Sequence, residues 1–218
     1  CISQYHQDRV DIWKRYYDTM QLKSPGTYCI LEHFAENTEE IELSDYGMML
    51  WGNSNYNFSE ASMGWVPTSN FEWYLHTARG WSKPHVVGYM ESHDEERMMY
   101  RNLQFGNTAN ASHNVRDLNV ALKRIELCAA FLLSAPGPKM IWQFGELGYD
   151  YSINRCVDGT INNNCRLDKK PIRWDYPAII QRKRLYDIFS AMNKLRFHPW
   201  YKDVFIANNI NLNRNLAG

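Results

Sequence analysis

Two carboxylates far apart in the chain carry the chemistry that this sequence offers most directly. Glu32 ends the run Thr27-Tyr-Cys-Ile-Leu31, and Asp94 lies in the dense polar cluster Glu91-Ser-His-Asp-Glu-Glu-Arg97 that ends the run Val86–Met90. Short apolar runs bounded by turn-formers read as strands covered on both faces. The charged residues that follow them cannot be core, because an unpaired buried charge costs several kcal/mol. Ligands and catalytic groups gather at that edge of a parallel sheet. Paired carboxylates across a cleft suit glycoside hydrolysis: one acts as acid on the leaving oxygen, the other steadies positive charge at the anomeric carbon. Such an acid needs a raised pKa, supplied by partial burial and a negative neighbour. His93 is placed to hydrogen-bond sugar hydroxyls, although a histidine satisfied by backbone is the commoner outcome.

The elements that must position these groups follow in chain order. Residues 4–22 fit an amphipathic helix stopped at Ser24-Pro25-Gly26. After the 27–31 strand comes a short acidic helix, roughly 36–44. Met48–Trp51 reads as a second strand with an amide-rich exit, residues 69–80 as a helix, and 86–90 as the third strand. A polar loop covers 102–114. Residues 115–134 show the clearest helical period, broken at Ser134-Ala-Pro-Gly-Pro138. Lys139–Phe144 is expected to be a fourth strand with Gly145-Glu146 as its exit. Residues 146–177 form a long loop of the functional or lid-like kind. Ile179–Leu195 is a final helix, and 203–212 reads as a strand.

Strand, polar exit and helix, four times over, imply right-handed crossovers and a parallel sheet. The expected fold class is α/β, the C-terminal half (strands 5–8 with helices) of a TIM (β/α)8 barrel. Residues 1–200 would be this partial barrel, and 201–218 the start of a C-terminal β domain or tail. Exposed edges of a half barrel predict self-association.

Composition narrows the function classes. With 218 residues and 44% apolar content the chain can bury a core, and its formal net charge is zero. Without a basic run, nucleic acid and anionic membrane are poorly supported partners. No apolar run approaches about 18 residues, so none is expected to span a bilayer. Eight tryptophans suit sugar-stacking platforms as well as large cores. Of Trp51, Trp65, Trp73, Trp81 and Trp142, most are expected in the core. Lys123 and Arg124 read as a solvated helix face. Asp150 and Asp158 match no metal motif, so no metal site and no cofactor is assigned. The chain opens at Cys1 without an initiator methionine or signal peptide, as a piece of a longer protein would. Five cysteines are too few for a disulfide framework or zinc ribbon. Cys156 and Cys165 flank a polar loop and are read equally well as a disulfide or as two free thiols. A disulfide would suit an oxidising compartment, secreted or periplasmic.

The local sequences carry a resemblance. Val87-Gly-Tyr-Met-Glu-Ser-His-Asp94 resembles the seventh-strand motif of the alpha-amylase family of glycoside hydrolases, Tyr28-Cys-Ile-Leu-Glu-His-Phe34 its fifth-strand motif, and Lys139-Met-Ile-Trp-Gln-Phe-Gly-Glu146 its eighth-strand segment. The three occur in order and span nearly the whole chain. The resemblance implies an α-glucan substrate, with Glu32 as general acid/base and Asp94 as transition-state stabiliser. His93, His33, Arg97 and Glu146 are the expected substrate contacts, Glu146 at the rim. Ser92 stands where many amylases have Asn, which is similar to glucan-branching enzymes, so hydrolysis and transfer both stay open. A non-catalytic glycan-binding protein is the alternative from a different class. The family's nucleophilic Asp and the Arg two residues before it would precede Cys1, as would the inserted domain that often holds calcium in a parent enzyme. Asp8, Asp11 and Asp18 fall on the first helix and offer no substitute, so this polypeptide alone is expected to lack hydrolytic activity.

Overall fold

The computed structural model describes residues 3–210 and 212. Among them the α-helices are α1 (Gln7–Lys23), α2 (Asn37–Tyr46), α3 (Asn55–Met63), α4 (Met98–Phe105), α5 (Leu118–Ser134) and α6 (Ile180–Arg196). The strands are β1 (Ile30–Leu31), β2 (Met49–Asn53) and β3 (Val86–Tyr89), hydrogen-bonded in the order β1-β2-β3. All pairings are parallel, with Leu31 opposite Leu50 and Gly52 opposite Gly88.

This overturns the half-barrel expectation. Among the described residues 50% are helical and 7% are in strands, and the sheet has three strands rather than four. The segment expected as the fourth strand touches β3 by a single bridge, Lys139 to Gly88. The reason is local. Gly137 is left-handed at φ 83° and Phe144 at φ 60°, so the backbone turns at both ends of the segment before a ladder can propagate. The strand expected over 203–212 is likewise absent where it is described: residues 202–206 form a 3-10 turn whose Phe205 packs under Arg196, and 211 lies outside the described residues. The helix expected over 69–80 is three short 3-10 turns spread over residues 66–79.

Two further helices arise: α3 at the amide-rich exit of the second strand, and α4, whose end runs into the polar loop expected over 102–114. Both are short, and the apolar side chains that anchor them, Phe58, Met98 and Met99, are buried in the largest core cluster beside α5 and α6. Tertiary burial outweighs the weak propensity of Asn-Tyr-Asn-Phe-Ser. α5 begins where the Asp117 carboxylate accepts from the N–H groups of Asn119 and Val120, a side-chain N-cap. α2 is tied by ion pairs to the 3-10 turn at 77–79 and to α1. Arg79 meets Glu40 at 3.1 Å with both side chains 5% exposed, and Arg9 meets Glu39 at 2.6 Å. A second core of Val10, Leu31, Leu43, Leu50, Trp81 and Val86 fills the space between α1, α2 and the sheet.

Gly52 shows how tightly that sheet is wedged. A Cβ there would sit 2.4 Å from Val86 Cγ1 and 3.2 Å from Arg79 Nη2. Gly52→Ala is therefore expected to lower the stability of the chain by about 1–3 kcal/mol, the usual cost of overpacking. Urea denaturation of the variant checks this; an unchanged midpoint would mean the strands are free to shift apart.

Candidate functional site at the carboxyl edge of the sheet

Parallel pairing sends the carboxyl ends of β1 and β3 to the same edge. They sit two interstrand spacings apart, about 9–10 Å, and side chains reaching inward from the following turns close that distance. Glu32, His93 and Asp94 meet there, with one ligand atom from each lying within 4.8 Å of the others. All three are exposed. His93 Nε2 stands 3.5 Å from Asp94 Oδ2, and the imidazole lies between the rings of Trp51 and Trp142, at 5.8 Å and 6.0 Å.

The turn that carries His93 and Asp94 is wired from both sides. Asn55, buried at the start of α3, donates from Nδ2 to the carbonyls of Met90 (2.7 Å) and Glu96 (3.1 Å), stapling the two ends of the turn together. The buried Ser92 accepts from the Asp94 N–H at 3.1 Å and donates to Glu95, which also accepts from Asn53. Beneath the cluster lies the Tyr89 hydroxyl, whose pKa is pushed up by burial and by the nearby Glu95 and Glu32 carboxylates.

The other expected contacts are placed differently. His33 does not join the cluster: its side chain is buried, Nδ1 accepts from Trp13 Nε1 at 3.2 Å and Nε2 lies 3.0 Å from Glu39 Oε1. Both ring nitrogens are thus engaged inside the protein, and desolvation holds its pKa down. Arg97 is buried too, donating from Nη1 to the Ser92 carbonyl at 2.5 Å and stacking over Trp142 at 5.8 Å. It fastens the turn from beneath. Glu146 is half-buried with its carboxyl pKa raised by burial, and lines a separate groove with Gln143, Tyr186 and Asn193. Asp8, Asp11 and Asp18 lie on α1. Asp150 is paired with Arg182 at 2.7 Å. Of the five tryptophans expected mostly in the core, only Trp81 is buried; Trp51 and Trp142 frame His93 instead.

The largest omission from the sequence reading is Arg166. Its Nη2 donates to the Asp94 carbonyl and to Asp94 Oδ1, the latter at 3.0 Å. Cys156 and Cys165 are joined in a disulfide, which settles their pairing and places the bridge next to Arg166. A lone Arg in a polar loop gave no signal; only the adjacent cysteine hinted that the loop has a fixed shape. Glu32, His93 and Asp94 are close enough for a cation to bridge, but Asp94 already carries a guanidinium, and no metal is assigned. What the arrangement offers is two acceptor carboxylates, an imidazole and a guanidinium edged by two indoles, a set suited to a polyhydroxylated ligand with apolar ring faces. No family model matches the chain, and no curated protein matches it. The class defined by fold and site is therefore a small parallel sheet among helices with a carboxylate–histidine cluster at its carboxyl edge.

Behind the cluster, Glu91 is buried, with Oε1 accepting from the Met98 N–H at 2.7 Å. Burial is the chief cause that raises its pKa, against the opposing charge of Arg97. A carboxyl whose pKa is raised by folding contributes its full stability below the unfolded value, near 4.5, and loses it as pH rises towards the folded value. Urea unfolding should therefore show stability falling above that point by at most about 1.4 kcal/mol per pH unit. Glu91→Gln, which keeps the acceptor for Met98, should remove that component; an identical pH dependence in the variant would refute it.

Proposed function

We propose that this chain carries an α-glucan-handling site of the alpha-amylase type, with Glu32 in the acid/base role and Asp94 as the carboxylate that grips sugar hydroxyls. The observation that carries this reading is the meeting of Glu32, His93 and Asp94 within 4.8 Å, from segments far apart in the sequence. Three points support it: two carboxylates are the chemistry of glycosidic bond cleavage, the indoles of Trp51 and Trp142 suit sugar faces, and the local sequences resemble the family's motifs. His93 contributes a hydrogen bond beside Asp94. Retaining cleavage also requires a nucleophilic carboxylate about 5–5.5 Å from the acid, and among the described residues the cluster holds the two acids Glu32 and Asp94.

A second reading, glycan binding without turnover, is favoured by the exposure of Glu32. A general acid works best partly buried, where desolvation keeps it protonated. The two readings share a ligand, and neither expects cleavage by this chain alone. Calorimetry with maltoheptaose should detect binding that Asp94→Asn and Glu32→Gln each weaken about tenfold, in line with loss of a charge-assisted hydrogen bond. Product analysis should find no cleavage by the chain alone. Binding that is indifferent to both substitutions sinks the assignment; cleavage removes the binding-only reading.

Partner surfaces follow from the same sheet. Net charge is zero, which does not favour nucleic acid, and no described helix is long and apolar enough to cross a membrane. β1 is an edge strand, and Ile30 within it and Tyr28 just before it are exposed to solvent. Unpaired strand edges bearing apolar side chains recruit further strands, so self-association through β1 is expected. Light scattering should show mass rising with concentration, and Ile30→Lys should suppress it; a monomer throughout the concentration range removes this proposal. The disulfide fits an oxidising compartment.

A further inference from the structure

The loop that brings Arg166 to Asp94 is built as a clasp. It is tied at one end to the turn after β3, where Glu96 accepts from Ser152 Oγ at 2.6 Å and from the Ile153 N–H at 2.8 Å. From there the chain doubles back. Arg155 bridges antiparallel to Ile161, the Asn162 N–H donates to the Asn154 carbonyl at 2.9 Å, and the Cys156 N–H donates to the Thr160 carbonyl at 2.8 Å. The Cys156–Cys165 disulfide closes this small hairpin. Lys170 Nζ then caps the carbonyls of Cys165 and Asp168, both at 2.8 Å. Arg166 is the first residue beyond the bridge, so its direction is fixed by the covalent link rather than by burial. Its guanidinium remains 43% exposed and the Asp94 side chain 51%.

We infer that Arg166 is a positioning residue for Asp94, set in place by the Cys156–Cys165 disulfide, and that its outward N–H groups donate to the hydroxyls of the same sugar. This rests on the reading of Asp94 as a glycan-gripping carboxylate. The physical logic has two parts. Asp94 sits beside the like charge of Glu32, which would turn an untethered carboxylate away; a guanidinium on Oδ1 and on the backbone carbonyl of the same residue fixes both its rotamer and its peptide. Only Nη2 makes those bonds, and a guanidinium has five N–H donors, so others stay available to a ligand oxygen. The anchor at Ser152 and Ile153 holds one end of the loop. Without the disulfide, the segment from 154 to 165 regains chain entropy and Arg166 is no longer delivered to one place.

The test uses the full chain and maltoheptaose. Arg166→Met should weaken binding about threefold to fivefold, the range for a partly exposed charge pair. Arg166→Lys should recover part of the loss, because it restores charge without the fork. Cys156→Ser with Cys165→Ser should weaken binding to a similar extent, and adding those changes to Arg166→Met should cost nothing more, since the bridge acts through Arg166. Full-strength binding by Arg166→Met, or additive losses, would overturn the inference. If the unaltered chain does not bind maltoheptaose, the glucan reading fails, and hydrogen exchange then judges the clasp separately. Removing the disulfide should speed exchange of the amides over residues 92–97 in the Arg166 chain and not further in Arg166→Met; equal exchange with and without the bridge would overturn it.

Discussion

The parallel register of β1, β2 and β3 is the constraint on which the rest of the molecule depends. Because the strands run the same way, the polar exits fall on one edge, and Glu32 and Asp94, far apart in the sequence, become neighbours there. The register is enforced by side-chain fit. Gly52 leaves room for Val86 where any larger residue would collide, and Leu31, Leu50 and Val86 lock into the core beneath α1 and α2. The strands are short, so backbone ladders alone would be marginal. Packing supplies what the ladder lacks.

Above that edge the site is held by polar wiring. Asn55 bridges the two ends of the turn after β3, and Ser92, Glu95 and Asn53 form a chain of hydrogen bonds beneath His93 and Asp94. Each buried polar group that takes part leaves fewer alternative conformations for the exposed ones. The three clustered side chains are exposed, yet the backbone that presents them is fixed. Arg97 and Glu91 belong to this foundation rather than to the surface, one fastening Ser92 and the other accepting from Met98.

The lower half of the site is governed by the long loop. A third core of Phe144, Leu147, Tyr149 and Tyr176 anchors its two ends. Arg173 and Arg182 stand over the Tyr176 ring at 4.1 Å and 3.9 Å, and Arg182 pairs with Asp150. The hairpin closed by the disulfide stands out from this base towards Asp94. A loop that is rigid at its root and covalently closed at its tip can hold a charged side chain in the open at small entropic cost.

Periodicity and turn residues by themselves determined the strands at 86–90 and 48–51, the helices at 4–22, 115–134 and 179–195 to within a few residues, and the edge on which Glu32 and Asp94 emerge. Those features are local: a period-3.6 apolar stripe or a short apolar run between turn-formers is written in neighbouring residues. The half-barrel expectation failed because it counted the run at 139–144 as a strand, and whether such a run pairs depends on the left-handed turns at Gly137 and Phe144. α3 and α4 escaped notice because their stability comes from Phe58, Met98 and Met99 meeting a distant helix, not from propensity. His33 and Arg97 read as ligand contacts because a charged type beside a motif carries no sign of which way it points. Only the tertiary structure could turn His33 onto Trp13 and Glu39 and bring Arg166 to Asp94, since those pairings are long-range contacts whose energies exist only once the chain has closed on itself.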